Sequence, residues 1–261
     1  MRPGAGPTSL DGMRTPSVST PVRRVTARLV APLVALLAAA LVWAAAPGPA
    51  PAQAAGAGWT GNLIRNGSAE KTTGKVTDYY PPATLKAWRT TDAFTARRYD
   101  GNAPDPAAYG TYLAKNSPGP GSRGRQYFVG AYKTSSATTG RAVQVIGLKK
   151  HQSRIRKGAR ARLVGWLGGY PSNEDRMAVT VTWLSRKGRK VGTPLRLKPV
   201  TRADRDPSPD VEGDETTMLA KRVATGRVPG RAWKAKVQVV AKRGATGVTG
   251  AYADQLSLRI R

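Results

Sequence analysis

Alternation of apolar and polar residues with a period of two, broken repeatedly by glycine and proline, constrains this chain more than any other feature. In the run Met177-Ala178-Val179-Thr180-Val181-Thr182-Trp183-Leu184, residues Met177, Val179, Val181 and Trp183 share one face. Trp233, Ala235, Val237 and Val239 repeat the pattern, with Lys234, Lys236 and Gln238 facing the other way. Near the C-terminal end, Asp254, Leu256, Leu258 and Ile260 alternate against Gln255, Ser257 and Arg259. Residues 142–146 and 162–167 read as more deeply buried strands. Turn chemistry separates these runs at Gly168-Gly169, Arg186-Lys187-Gly188, Pro229-Gly230 and Arg243-Gly244. No pattern predicts a helix longer than a turn or two, and no internal repeat is evident. The expected architecture is therefore an all-β antiparallel sandwich or barrel.

The first residues read as a targeting segment rather than as part of that fold. Arg23, Arg24 and Arg28 precede an uncharged run of Leu, Ala and Val from Leu29 to Ala46, and Ala52-Gln53-Ala54 fits a small-x-small cleavage pattern. Residues 1–54 are thus expected to be a signal peptide and residues 55–261 a single β-sandwich domain, secreted or associated with the cell wall. The alternative is an uncleaved anchor, because the apolar run approaches the length that spans a bilayer. Its many alanines, Pro32 and the Pro-rich exit favour cleavage. No second apolar run follows, so no transmembrane segment is expected in the mature chain.

Charge narrows the partners. Of 43 basic and 15 acidic residues in the whole chain, the leader holds five and one; the remainder carries 38 and 14, a net charge of +24. An exported protein with a field of that sign favours polyanionic neighbours, such as wall polymers, acidic polysaccharide or anionic headgroups. Nothing in the sequence points to specific nucleic-acid recognition. Seven cations (Lys149, Lys150, Arg154, Arg156, Lys157, Arg160 and Arg162) crowd into fourteen residues, and Lys149, Lys150, Arg154, Arg156 and Lys157 are the candidate polyanion contacts. A solvated basic loop is the equally weighted alternative. The chain contains no cysteine, which removes thiol catalysis, thiolate metal sites and disulfides.

Two segments at opposite ends of the exported part carry a family resemblance. These are Asn62-Leu63-Ile64-Arg65-Asn66-Gly67-Ser68-Ala69-Glu70 and Tyr252-Ala253-Asp254-Gln255-Leu256-Ser257-Leu258, joined by an ordered series that includes Val143-Gln144-Val145-Ile146, Gly165-Trp166-Leu167-Gly168-Gly169-Tyr170 and Val237-Gln238-Val239-Val240. The chain resembles the secreted bacterial domains of galactose-binding, carbohydrate-binding-module type. That resemblance implies a jelly roll of two antiparallel sheets, a binding role rather than catalysis, and often one structural Ca²⁺ where the first and last strands meet. Glu70 and Asp254 match the positions of the family's acidic ligands, and Asn66 could add an oxygen. A hard cation of this kind takes several carboxylate and carbonyl oxygens.

Catalytic chemistry finds little support. The only histidine, His151, stands in a basic loop, and no serine lies in a Gly-x-Ser-x-Gly turn. Paired acids at Glu174-Asp175 and between Asp204 and Glu215 are the sole candidates for glycosidase or lyase work, which requires two carboxyls a few ångströms apart. For sugar binding, rings in predicted loops are the candidates, Tyr80 and Tyr170 foremost, whereas Trp166, Trp183 and Trp233 are expected in the core. The sequence therefore predicts a non-catalytic exported module for carbohydrate or anionic cell-envelope polymer. A cryptic carbohydrate-active enzyme and a structural accessory protein without a soluble ligand are the alternatives; oligomeric state is open.

Overall fold

The computed structural model describes residues 58–73, 83–91, 94–99, 113–130, 138–170, 173–206, 217–244 and 250–261. Six long strands dominate: β6 (Thr139–Gly147), β7 (Arg160–Gly169), β8 (Arg176–Leu184), β10 (Met218–Arg227), β11 (Lys234–Lys242) and β12 (Ala251–Ile260). Shorter strands complete the set: β1 (Thr72–Thr73), β2 (Thr84–Leu85), β3 (Arg89–Thr91), β4 (Thr95–Arg98), β5 (Gln126–Val129) and β9 (Leu195–Arg196). A front sheet has the order β10-β7-β12-β5-β4, a back sheet the order β3-β6-β11-β8-β9, and β1 pairs with β2. Every pairing is antiparallel. The long strands alternate between the sheets in chain order, which makes the fold an antiparallel β-sandwich of jelly-roll type. Among the described residues the one α-helix is a single turn, α1 (Gln152–Arg156).

The core follows from the alternation. Met177, Val179, Val181 and Trp183 of β8 face Ala241, Val239, Val237 and Ala235 of β11 across the back sheet. The small Ala235 opposite Trp183 leaves room for the indole, and all eight are buried. Leu163, Leu167, Leu256, Leu258 and Ile260 close the core from the front sheet. Each such side chain contributes about 1.5–3 kcal/mol by leaving water.

Three local readings of the sequence are corrected by the sheets. Residues 142–146 and 162–167 are not buried on both faces: Val145 is 48% exposed, and Arg162, Val164 and Trp166 point outward from the front sheet. Gly168-Gly169 is not a turn but the end of β7, flanked by β10 and β12. A Cβ at Gly168 would overlap the carbonyl of Met218, and one at Gly169 that of Gly250, so glycine lets the strand run through. Finally, β12 does not alternate without a break. Asp254 pairs with Trp166 but Ser257 pairs with Val164, so one extra residue is inserted, with Gln255 at φ 49°. Asp254 therefore lies on the outer face with Tyr252, opposite to Leu256, Leu258 and Ile260.

The two ends of the domain meet as the resemblance implied, although the first segment is irregular rather than a strand. Asn62 supplies ladder bonds from its side chain: Oδ1 accepts from the Leu258 and Ile64 amides, and Nδ2 donates to the Leu256 carbonyl. Backbone bonds from Leu63 to Leu258 and from Leu256 to Gly67 complete the clamp. Gln144, buried at the edge of the core, brackets the same segment by bonding both backbone groups of Arg65 and the carbonyl of Ala87.

At the end of the sandwich where β7 finishes and β8 starts, here the upper end, Arg205 fills the opening. It is 1% exposed, and its guanidinium donates to the carbonyls of Tyr170 (2.7 Å), Val200 (3.0 Å), Asp175 (3.2 Å) and Asn173. Removing it strands four carbonyls that hold three segments together. Arg205→Met is expected to lower stability by about 3–5 kcal/mol in equilibrium urea unfolding. A loss within 1 kcal/mol, the range of surface changes, would show that water replaces the guanidinium.

Candidate binding surface

The outer face of the front sheet is divided in two. Its upper half is covered by a second apolar cluster of Tyr99, Leu113, Tyr127, Val129, Leu219 and Tyr252, with Trp166 packed at the edge. The rings stack in series: Tyr99 and Tyr127 are 4.8 Å apart, and Tyr127 meets Tyr252 edge-on at 5.3 Å. The segment from Leu113 to Arg125 lies over this cluster, and Arg123 fixes it. The Arg123 guanidinium donates to the carbonyls of Pro120, Ala114 and Ser117 and sits 5.2 Å from the centre of the Tyr99 ring.

The lower half is open. Arg162, Val164 and Trp166 of β7, Lys221 of β10, and Gln255, Ser257 and Arg259 of β12 line a groove of about 270 Å³. The register explains the grouping, because Trp166 stands opposite Lys221 on one side and Asp254 on the other, and Val164 opposite Ser257. The groove thus combines an aromatic surface, an amide, a hydroxyl and three cations, all on paired strands. Trp166 was expected in the core, and this is a correction. The signal was present in the sequence: Trp166 shares its alternation phase with the charged Arg162, not with Leu163 and Leu167. Trp183 is in the core as read, while Trp233 is half-buried beyond it.

The other candidates are placed as follows. Tyr80 lies outside the described residues. Tyr170 is half-buried just past β7, with its amide bonded to Gly250 and its carbonyl to Arg205. Four residues from Trp166, about 13 Å along a strand, it does not line the groove. Lys149 and Lys150 sit on a 3₁₀ turn and Arg154, Arg156 and Lys157 on or just after α1, all exposed at the lower end of the sandwich. His151 joins the two turns, and burial together with Arg154 and Lys150 lowers its pKa, so it is neutral at neutral pH.

The acids are committed elsewhere. Asp175 is buried and accepts the amides of Gly244 and Gly250, both at 2.6 Å. Asp204 caps the turn at Thr201 and pairs with Arg222 at 2.8 Å; Asp206 pairs with Arg202 at 3.0 Å. None of the described carboxylates lines the groove.

Glu70 and Asp254 interact electrostatically where the first segment meets β12. One oxygen of Glu70 accepts the amides of Arg125 and Gln126, each at 2.8 Å, and the other is 4.0 Å from the Arg125 guanidinium. Asp254 is fully buried and accepts from the Tyr99 hydroxyl at 2.7 Å and the Gln255 amide at 2.6 Å. Burial drives its pKa up to about 7; the Tyr99 and Gln255 hydrogen bonds oppose this, and the charge of Glu70 adds to it. No basic side chain among the described residues makes an ion pair with Asp254, and the charge of Glu70 reaches it. Among the described residues no cluster of three or more acidic, histidine or cysteine groups exists. The Asn66 side chain is held by Lys71 and Lys86, accepting the Lys71 amide and donating to both carbonyls.

No family model and no curated protein sequence matches the chain. Solved structures with a similar course include the enzymatically active domain of tailspike protein 4 from bacteriophage CBA120, with 12% identity and a TM-score of 0.41 over 76% of this chain. The chain spans only 21% of that tailspike structure. The C-terminal family 22 carbohydrate-binding module of Clostridium thermocellum Xyn10B aligns at 11% identity and a TM-score of 0.37, over 75% of this chain and 94% of the module. The CBM22-1 xylan-binding domain of Paenibacillus barcinonensis Xyn10C gives 11% and 0.35, over 68% and 87%. Identities and scores of this size carry no ligand from those proteins to this one.

The buried carboxyl sets a pH dependence. Asp254 ionises near 3.8 in an unfolded chain but near 7 in the fold, so its stabilising contribution is complete below about pH 4 and is lost as pH rises to about 7. In divalent-free buffer, the unfolding free energy of the wild type relative to Asp254→Asn is expected to fall across that window by a few kcal/mol. A difference constant from pH 4 to pH 8 in parallel chemical denaturations would show that the carboxylate is not desolvated.

Proposed function

We propose that this chain is an exported, non-catalytic binding module that holds an acidic carbohydrate along the open half of its front sheet. The observation that carries the reading is the groove itself: Trp166 beside Lys221, Arg162 beside Arg259, and Gln255 and Ser257 within the same lining. An indole face can stack on a pyranose ring. The guanidinium groups pair with carboxylate or sulfate in forked geometry, and the amide and hydroxyl satisfy sugar hydroxyls. The side chains stand on the paired strands β7, β10 and β12, so little ordering is needed on binding. The carboxylate pair that glycoside hydrolysis requires has no counterpart in the groove lining.

The reading is tested by affinity electrophoresis in uronate-containing and neutral polysaccharide gels at low and moderate salt. Retardation is expected in the acidic glycans and to weaken with salt. Trp166→Ala is expected to reduce affinity about tenfold, the effect of losing about 1.4 kcal/mol of contact. Arg162→Gln with Arg259→Gln is expected to remove most of the salt dependence. Unchanged migration of all these variants would exclude the groove as the site.

A structural Ca²⁺ shared by Glu70 and Asp254 belongs to the same proposal. The ion would tie the first segment to β12 and balance the charge of Asp254 once it is ionised. At pH 8, roughly millimolar Ca²⁺, the range of extracellular modules, is expected to raise the melting temperature, and chelator to reverse the rise. Glu70→Gln is expected to abolish the response. Identical melting of loaded and stripped wild type would rule out a stabilising ion.

A further inference from the structure

The lower end of the sandwich carries a charge distribution that the groove does not account for. Here β6 connects to β7 through α1, β8 to β9 through the turn after Leu184, and β10 to β11 through the turn after Arg227. The three connections are cross-tied. Gln152 donates to the carbonyls of Leu148 and Ala232, the Leu148 amide bonds Trp233, and the Trp233 amide bonds Leu184. Between them lies a hollow of about 340 Å³ whose lining includes Arg156, Arg186, Lys187, Arg189 and Arg231, with Trp233 at its side. The Arg186 guanidinium lies 5.4 Å from the centre of the Trp233 ring, which orients it without neutralising it.

None of these five cations pairs with a carboxylate among the described residues. The described acidic side chains all lie in the middle or at the upper end: Glu70 and Asp254 at the clamp, Asp204 and Asp206 near Arg222, Glu174 and Asp175 before β8. Five positive charges around one surface, unpaired among the described residues, repel one another, and a bound anion relieves that repulsion. Four of the five are arginines, whose forked donors match tetrahedral oxyanions with two oxygens per contact. The hollow opens broadly to solvent between three turns, so it suits an extended chain laid across it rather than an enclosed small molecule.

We propose that this hollow is a second binding site, distinct from the front-sheet groove, for the phosphate groups of a linear phosphate-bearing polyanion. Arg156, Arg186, Arg189 and Arg231 are its principal contacts, and Lys149, Lys150, Arg154 and Lys157 extend the same field along the neighbouring turn. The site takes phosphate from a soluble chain rather than from a membrane surface.

The test uses the purified protein and fluorescently labelled inorganic polyphosphate, read by anisotropy over a salt series. Wild type is expected to bind with an affinity that falls steeply with salt. The exposed triple change Arg186→Gln, Arg189→Gln and Arg231→Gln is expected to weaken binding at least tenfold. A control that removes equal charge elsewhere, Arg141→Gln, Lys198→Gln and Lys242→Gln, is expected to change it less than twofold. Trp166→Ala is expected to leave polyphosphate binding intact, and the arginine triple to leave acidic-glycan retardation intact, so the two sites succeed or fail separately. Equal losses in both triples would reduce the effect to net charge and overturn the site. Binding to anionic phospholipid vesicles with none to polyphosphate would overturn the choice of a soluble chain.

Discussion

The inserted residue in β12 governs much of this molecule. Up to Ala253 the strand places its odd-numbered residues in the core; from Leu256 onward it places its even-numbered ones there. Without the bulge, either the start or the end of the strand would turn its apolar residues outward. The change of phase also leaves Asp254 and Gln255 on the outer face, one buried beneath the second apolar cluster and the other lining the groove. The bulge therefore sits at the boundary between the covered and open halves of the front sheet. Gln255 reinforces that boundary by donating to the Ser122 carbonyl at 2.6 Å, tying the bulge to the covering segment.

Around this strand the fold concentrates its polar interior. Asn62, Gln144, Asp175 and Arg205 are each committed to backbone groups from distant segments, and Asp254 to the distant Tyr99 hydroxyl. Buried or half-buried polar groups of this kind are costly unless satisfied, and here they join loops that the two sheets alone would leave separate. The carboxylates consumed in this way are subtracted from the surface. Already basic in sequence, the domain becomes more so at its lower end because its described acids are held in the middle and at the upper end.

Legibility differed between the sheets and the surface. The back-sheet strands could be read residue by residue, since Val179, Val181, Val237 and Val239 alternate without interruption and pair in register. In β7 hydrophobicity and phase disagree: Val164 and Trp166 are apolar but keep the phase of the exposed Arg162, and phase decides which face they take. The Gly168-Gly169 pair was misread because glycine serves both turns and close strand approach, and only the presence of Met218 and Gly250 on either side distinguishes them. The acidic pair Glu174-Asp175 resembled chemistry in one dimension; in three, Asp175 is a bracket for two glycine amides.

By itself the sequence determined the period of two, the compensating turns, the absence of thiol chemistry and the excess of positive charge. Those are properties of local geometry and composition, and they suffice for an antiparallel sandwich or barrel with a basic surface; the jelly roll was implied only by the resemblance. Only the tertiary structure decided where the alternation slips, which tryptophan reaches solvent, and which cations converge. Each of these depends on residues far apart in the chain: Trp166 beside Lys221 and Asp254, Arg156 beside Arg186 and Arg231. Such juxtapositions arise from strand register and loop crossing, which no window of local sequence contains.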